Sequence, residues 1–288
     1  MAMRMPEELV ARARALAERG DWTPPPALPA TTVVLIRDGA AGLEVLLMRR
    51  PSTMRFAPGM HVFPGGRVEP AEDTRPTVQG YLPDGDWAPD ATLAAALVVA
   101  GVRETFEEAG VLIALDRTGR PPTPDGRWAA DRAACETRGG FSAMLARRRL
   151  HVDADLLAPV AHWVTPEVES RRFDTRFLLA GLPAGQDVRG HATETETATW
   201  VTPDQALTGL AQGQLPMLPP TVAVLDDLAG HRNVNDALEW ARARRILPLM
   251  PRARVVGERL DWVLVHAYTG EVLRESSEPA GSEERGAS

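Results

Sequence analysis

Arg103-Glu104-Thr105-Phe106-Glu107-Glu108-Ala109-Gly110 is the stretch on which the reading of this chain turns. Its three glutamates stand at i, i+3 and i+4. At roughly 3.6 residues per turn those positions share one face of a helix, spread over about 100°. Like charges so placed repel, by about a few tenths of a kcal/mol per pair, and something must offset that. Water does so on an open surface, and a solvated acidic face is the ordinary reading of such a helix. A hard divalent cation does so better, because carboxylate oxygens match Mg²⁺ or Mn²⁺. Asp90 is a plausible N-cap, Leu93, Leu97 and Ala100 follow at helical spacing, and Gly110 supplies the stop, so a helix is expected over 90–109.

Toward the N-terminus, residues 73–89 are polar, carry Pro76, Gly80, Pro83 and Gly85, and read as a surface loop. Residues 49–70 are rich in glycine and proline, with a short apolar break, His61-Val62-Phe63, compatible with a strand. Before them, Thr31-Thr32-Val33-Val34-Leu35-Ile36 and Glu44-Val45-Leu46-Leu47-Met48 flank the turn-like Asp38-Gly39-Ala40-Ala41-Gly42, which predicts a hairpin buried on at least one face. Residues 1–29 are expected to form an amphipathic helix over 6–19, then an extended connector, Pro24-Pro25-Pro26-Ala27-Leu28-Pro29.

Toward the C-terminus, strands are expected over 111–115, 160–164, 173–180 and 197–201, with a polar loop (117–126) and a helix ending at Arg147-Arg148-Arg149 between the first two. Thr202-Pro203-Asp204-Gln205 opens a short helix with proline at its first position. Helices are expected over 221–228 and 234–245, and the apolar residues over 260–266 alternate. The pattern gives an α/β fold with a mixed sheet and helices on both faces. One domain is expected over 30–212, with 73–89 as an insertion loop, followed by a helical cap over 213–273 and a disordered tail over 274–288.

Composition sets limits. Hydrophobic residues make up 44% and charged residues 25% of the 288, as in an ordinary folded protein with a real core. The net charge of −7 argues against nucleic-acid binding, since no basic stripe offsets phosphate repulsion. It leaves room for a small anionic substrate where bound cations reverse the local field. Cys135 is the single cysteine; no internal disulfide or multi-cysteine zinc site is possible, and a packed residue in a reducing cytoplasm is expected. No membrane span is expected, because no apolar run approaches the roughly 18 residues required.

Arg-Glu-x-x-Glu-Glu-x-Gly has a chance expectation on the order of 10⁻⁴ in a chain this long. A glycine-rich loop with a further carboxylate, Gly66 and Glu72, precedes it. Gly66-x5-Glu72 followed by Arg103-Glu104-Thr105-Phe106-Glu107-Glu108-Ala109-Gly110-Val111 resembles the Nudix box, G-x5-E-x7-R-E-U-x-E-E-x-G-U, where U is bulky and apolar. Two departures stand out: thirty residues (73–102) separate Glu72 from Arg103 where the pattern has seven, and Thr105 occupies a U position. The stretch from Leu46 through Arg49, Arg50, Arg55 and Phe56 to Pro64-Gly65-Gly66, with Arg171-Arg172-Phe173-Asp174-Thr175-Arg176-Phe177 and Pro219-Pro220-Thr221, is similar to the branch containing peroxisomal CoA and acyl-CoA diphosphatases.

The resemblance implies an α/β/α sandwich whose box is loop–helix–loop. It implies that Glu104, Glu107 and Glu108 hold Mg²⁺ or Mn²⁺, that Arg103 orients a glutamate, and that Gly65 and Gly66 permit close backbone packing. The implied reaction is hydrolysis of a diphosphate in CoA or acyl-CoA, giving 3′,5′-ADP and a 4′-phosphopantetheine species. ADP-ribose, NADH or a nucleotide sugar is the rival substrate. A non-catalytic ligand sensor is the rival from another class, and the complete glutamate set argues against it. Family members often take a further glutamate from a later loop, and Glu194 and Glu196 are available here. Arg49, Arg50 and Arg55 are candidates for substrate phosphates, since a guanidinium forks two oxygens. Arg172, Asp174 and Arg176 alternate with Phe173 and Phe177, so the charges are expected at a rim or an interface and the rings in the core. Arg147-Arg148-Arg149 reads as a solvated helix end, and His61, His162 and His191 as structural. The expected partner is a small nucleotide-derived diphosphate, and a homodimer is the default for assembly.

Overall fold

The computed structural model describes residues 7–18, 20–53, 57–73, 78–82, 87–188, 197–256 and 259–275. They divide into two units: a larger one of Leu28–His162 and Asp174–Leu247, and a smaller one drawn from Met1–Ala27, Trp163–Phe173 and Pro248–Ser288. Helix α1 (Glu7–Ala17) belongs to the smaller unit. Among the described residues no helix is long and apolar enough to cross a membrane.

The β-branched run after the prolines forms β1 (Ala27–Gly39), which turns at Gly42 and returns as β2 (Gly42–Arg49), with Ile36 opposite Val45 and Gly39 opposite Gly42. Val33, Val34, Leu35 and Ile36 are all fully buried, so both faces of this strand are covered. The glycine-rich stretch supplies β3 (His61–Val62), which pairs with β2, and β4 (Gly65–Arg67), which pairs with β1. Gly65 has to be glycine here, because a Cβ would stand 2.4 Å from the Thr31 carbonyl oxygen. A single-turn helix α2 (Pro70–Asp73) follows, and the segment expected as a loop over 73–89 holds a short strand β5 (Val78–Gln79).

Helix α3 (Ala91–Ala109) forms as expected. The Asp90 side chain accepts the Leu93 N–H at 2.8 Å, and Gly110, at φ 71°, donates its N–H to Phe106 O. Its apolar face, Ala94, Leu97, Val98, Val102 and Phe106, shares a core with Val33, Leu35, Leu46 and Met48. Gly101 lets the helix lie close to β1, since a Cβ would meet Val33 Cγ2 at 3.0 Å. Thr105, unexpected at a buried helical position, satisfies its hydroxyl by donating to Gly101 O at 2.7 Å.

Residues 111–115 are expected from the sequence as a strand; 111–114 are buried, and among the described residues the stretch pairs with no strand apart from a bridge between Leu115 and His151. A side chain replaces the neighbouring strand. Gln186 accepts from Leu112 N at 2.8 Å and donates to Leu112 O at 3.0 Å and Pro122 O at 3.0 Å. Next come α4 (Trp128–Cys135), α5 (Gly140–Arg148) and β6 (Val152–Asp153), the last running parallel to β5. The unit is completed by β7 (Leu157–Val164), β8 (Arg172–Gly181), β9 (Thr197–Val201), α6 (Pro203–Ala211), α7 (Pro219–Leu228) and α8 (Val234–Ala243). Its strand order is β7-β8-β1-β2-β3, with β4 on β1 and β9 on β2. Thr202 and Gln205 form a reciprocal capping box at the start of α6.

In the smaller unit, β10 (Pro248–Val256), β11 (Arg259–His266) and β12 (Val272–Glu275) make an antiparallel set around Val164, Met250, Val263 and Val265. Trp22 Nε1 donates to Glu167 O at 2.8 Å, and Arg172 Nη1 to Pro25 O at 3.0 Å. The larger unit runs on to Leu247, and the region expected as a helical cap is helical only through α8 and then turns to strand, as its two-residue apolar alternation requires. Arg274 and Glu275 end β12, and the rest of the expected tail lies outside the described residues.

Gln186→Ala strands the Leu112 N–H in the core and leaves the Leu112 carbonyl only the Ala114 N–H, at 3.1 Å. It is expected to cost about 2–3 kcal/mol, read as a lower urea midpoint with an unchanged m-value. An unchanged midpoint would show that Gln186 does not replace a strand.

Candidate active site

Arg103 stands on α3 and reaches across to α2 and β4. Its Nε and Nη2 donate to Asp73 Oδ1 and Oδ2 at 2.9 and 3.3 Å. Nη1 donates to Glu104 Oε1 at 2.9 Å and Glu107 Oε2 at 3.1 Å, and Nη2 also to the Arg67 carbonyl at 3.1 Å. One guanidinium thus ties three carboxylates to a strand. The third helix glutamate is held from the strand itself: Gly65 N–H donates to Glu108 Oε2 at 2.9 Å. Gly66 presses on Glu104, since a Cβ there would lie 2.2 Å from Glu104 Oε1. Gly66 is needed because the Glu104 carboxylate sits where a side chain would be, and Gly65 because β1 lies against it.

The end of α3 is held by α4. Arg132 Nε donates to Glu107 O at 2.8 Å and its Nη2 to Glu108 O at 2.7 Å, while Trp128 Nε1 donates to Gly110 O at 2.9 Å. The Trp128 ring meets Phe106 edge-on at 5.2 Å. On its other side, α4 is anchored through Asp131 to Arg147 and Arg148 of α5.

Burial pushes the Glu107 carboxyl up to about 8; Arg103 opposes this and the Glu104 charge adds to it. Burial also raises Asp73, against the pull of Arg103. Arg103 is itself raised: its hydrogen bond to Asp73 and the surrounding carboxylates outweigh its burial, so it stays cationic. Cys135 is pushed up to about 12, by burial first and then by Glu107, and its Sγ donates to Asp131 O, as befits a packed and inert thiol.

The donor chemistry fits a hard cation. Four carboxylates, those of Asp73, Glu104, Glu107 and Glu108, are gathered around Arg103 and Gly65, and carboxylate oxygens are the donors a hard divalent ion prefers. Among the described residues no three acidic, histidine or cysteine side chains are already arranged as a cation cage. Instead Arg103 and Gly65 occupy carboxylate oxygens of Glu104, Glu107 and Glu108.

Other expected residues are placed as follows. Glu72 lies within α2, and its neighbour Asp73 makes the buried pair with Arg103. Sequence reading passed over Asp73 because the box spacing pointed one residue earlier; the signal for it was a carboxylate at the end of the interrupted half-motif. Arg49 ends β2 opposite His61 and Thr197, and Arg50 exchanges backbone hydrogen bonds with Met60 and Gly59. Arg55, His191, Glu194 and Glu196 lie outside the described residues. Arg147 and Arg149 are exposed, as expected of a solvated helix end, but Arg147 and the half-buried Arg148 also clasp Asp131, and Arg148 reaches Asp125 at 2.8 Å. Arg176 is buried, not at a rim: it donates to Trp87 O at 2.9 Å and pairs with Asp174 at 2.7 Å, and Asp174 meets His162 Nε2 at 2.6 Å.

A model of the NUDT19 Nudix domain matches residues 79–228, more than half of the chain. This chain belongs to the Nudix hydrolase family. Among its relatives, the acyl-coenzyme A diphosphatase NUDT19 of Homo sapiens is 26% identical, covering 81% of this chain and 73% of that protein. Its Xenopus laevis counterpart is 23% identical, over 82% and 73%. A Nudix hydrolase structure from Alicyclobacillus acidocaldarius is 36% identical, with a TM-score of 0.66, over 74% of this chain and 96% of that one. The fold is the α/β Nudix fold, and the protein is a Nudix hydrolase. Nudix hydrolases generally use divalent metals, and α3 is the helix half of the Nudix box.

Two outcomes are expected. Asp73→Asn leaves Arg103 short of its bidentate partner and should cost about 3 kcal/mol in urea denaturation; a loss under about 0.5 kcal/mol would contradict a buried pair. The second concerns pH. In the folded, metal-free protein Glu107 keeps its proton up to about 8, whereas an unfolded chain releases it near 4.5, the ordinary value. The folded state therefore binds more protons between these values, and stability falls as pH rises through that window. Glu107→Gln should flatten the fall in the metal-free melting temperature between pH 5 and 8; parallel curves would contradict it.

Proposed function

We propose that the protein hydrolyses the diphosphate of CoA or acyl-CoA with Mg²⁺ or Mn²⁺, giving 3′,5′-ADP and (acyl-)4′-phosphopantetheine. What carries this reading is the match over residues 79–228 to the NUDT19 Nudix domain, whose curated relatives are named acyl-coenzyme A diphosphatases. The Arg103-tethered glutamates supply the chemistry the reaction needs.

In this reading Glu104, Glu107 and Glu108 hold the cation. A divalent ion bound there would acidify water and neutralise charge on the leaving phosphate. Arg103 fixes the rotamers of Glu104 and Glu107, and the Gly65 N–H fixes Glu108, so the carboxylates lose little freedom on loading. Water adds to one phosphorus, the bridging P–O bond breaks, and the oxygen departs with the other phosphate. A carboxylate accepts the proton, with Glu194 and Glu196 the proposed candidates beside the helix glutamates. Arg49, Arg50 and Arg55 are assigned to substrate phosphates. We place the protein in the cytoplasm, on the buried lone thiol, and take a homodimer as its default assembly.

The test is incubation with Mg²⁺ or Mn²⁺ and, separately, CoA, an acyl-CoA, ADP-ribose and NADH, with products identified by mass. Release of 3′,5′-ADP from CoA or acyl-CoA is expected. Cleavage of ADP-ribose alone would overturn the substrate, and binding without cleavage would indicate a sensor. Glu108→Gln should lower kcat about a hundredfold or more with an unchanged circular dichroism spectrum; unchanged activity would contradict the role given to α3.

A further inference from the structure

The last turn of a helix leaves four carbonyls without intrahelical partners, and where the turn carries reactive side chains, whatever satisfies those carbonyls also sets the side chains' origins. In α3 the turn is Phe106 to Ala109. Phe106 O is taken by the Gly110 N–H at 3.0 Å. The next two carbonyls, those of Glu107 and Glu108, are bridged by the Arg132 fork at 2.8 and 2.7 Å. A planar guanidinium bonded to two successive carbonyls resists both translation and twist of the turn, which one point charge cannot do.

Three further features single out Arg132. It is only 7% exposed, so water competes poorly for these carbonyls. It stands at the negative end of the helix dipole, beside carboxylates which that dipole disfavours. Its helix is braced from both sides, by Trp128 against Phe106 and Gly110 and by Asp131 against Arg147 and Arg148, so the fork is presented by a rigid element.

We propose that Arg132 is a positioning residue for the hydrolytic reaction, acting through the backbone of Glu107 and Glu108 to hold their carboxylates in the arrangement that takes up the divalent ion. This rests on the reading of those glutamates as ligands. It gives the segment between the Nudix helix and β6 a part in catalysis that the box motif does not contain.

The experiment compares wild type, Arg132→Met, Arg132→Lys and Trp128→Phe in full-length protein, well below their melting temperatures. It measures kcat and KM for CoA hydrolysis and the Mn²⁺ dissociation constant by calorimetry. Arg132→Met is expected to lower kcat tenfold or more, keep KM within twofold and weaken Mn²⁺ about fivefold or more. Arg132→Lys, which can hold one carbonyl, should fall between. Should Arg132→Met not fold, Arg132→Lys and Trp128→Phe decide, with smaller losses of the same kind. Lower melting temperatures with kcat and Mn²⁺ affinity within twofold of wild type would overturn the proposal and leave the reaction standing. A wild type that binds Mn²⁺ without cleaving CoA would overturn the reaction, and Mn²⁺ affinity across the variants would then judge Arg132. A wild type that binds no Mn²⁺ would overturn both.

Discussion

The Arg103 guanidinium lies where three pieces of chain from different parts of the sequence converge: α2, the first half of an interrupted motif; β4, which carries the paired glycines; and α3, which carries the glutamates. Its bond to Asp73 is bidentate and buried, with 8% and 0% of the two side chains exposed. A buried pair of this kind adds little net stability over an apolar replacement but is costly to break on one side. Its worth here is geometric. It closes the chain across residues 74–102 and leaves one further nitrogen, Nη1, to hold Glu104 and Glu107 together. Without that cation the acidic face of α3 would repel itself, and a metal would have to pay for ordering it.

Interruption of the box has a simple physical reading in this light. The motif needs its two halves joined by a charge pair, and the pair does not care how much chain lies between them. Loop closure costs grow only slowly with length, so an insertion that includes β5 and its pairing with β6 is tolerated. Here the pair is made by Asp73, at the end of the α2 turn.

Much of the fold was legible in the sequence where local pattern and tertiary outcome agree. The β1–β2 hairpin followed from its apolar runs and turn, α3 from Asp90, its apolar spacing and Gly110, and α6 from Thr202 and Gln205. The errors have a common cause, long-range satisfaction of polar groups. Residues 111–115 have a strand's composition, yet Gln186, 74 positions on from Leu112, supplies the hydrogen bonds that a strand would. Arg148 and Arg176 look like surface charges until Asp131, Asp174 and Trp87 are brought to them. In the site, the glutamate spacing was readable because it is local to one helix. Asp73 and Arg132 were not, because their importance depends on which carbonyl or guanidinium they face.

The central claim is that the carboxylates gathered by Arg103 and Gly65 are the seat of a divalent ion. Anomalous diffraction at the manganese edge from crystals soaked in Mn²⁺ tests it most directly. The account predicts a peak within coordination distance of Glu104, Glu107 and Glu108 carboxylate oxygens, with the Arg103–Asp73 pair intact. A peak elsewhere, or none beside α3 at saturating Mn²⁺, would contradict it.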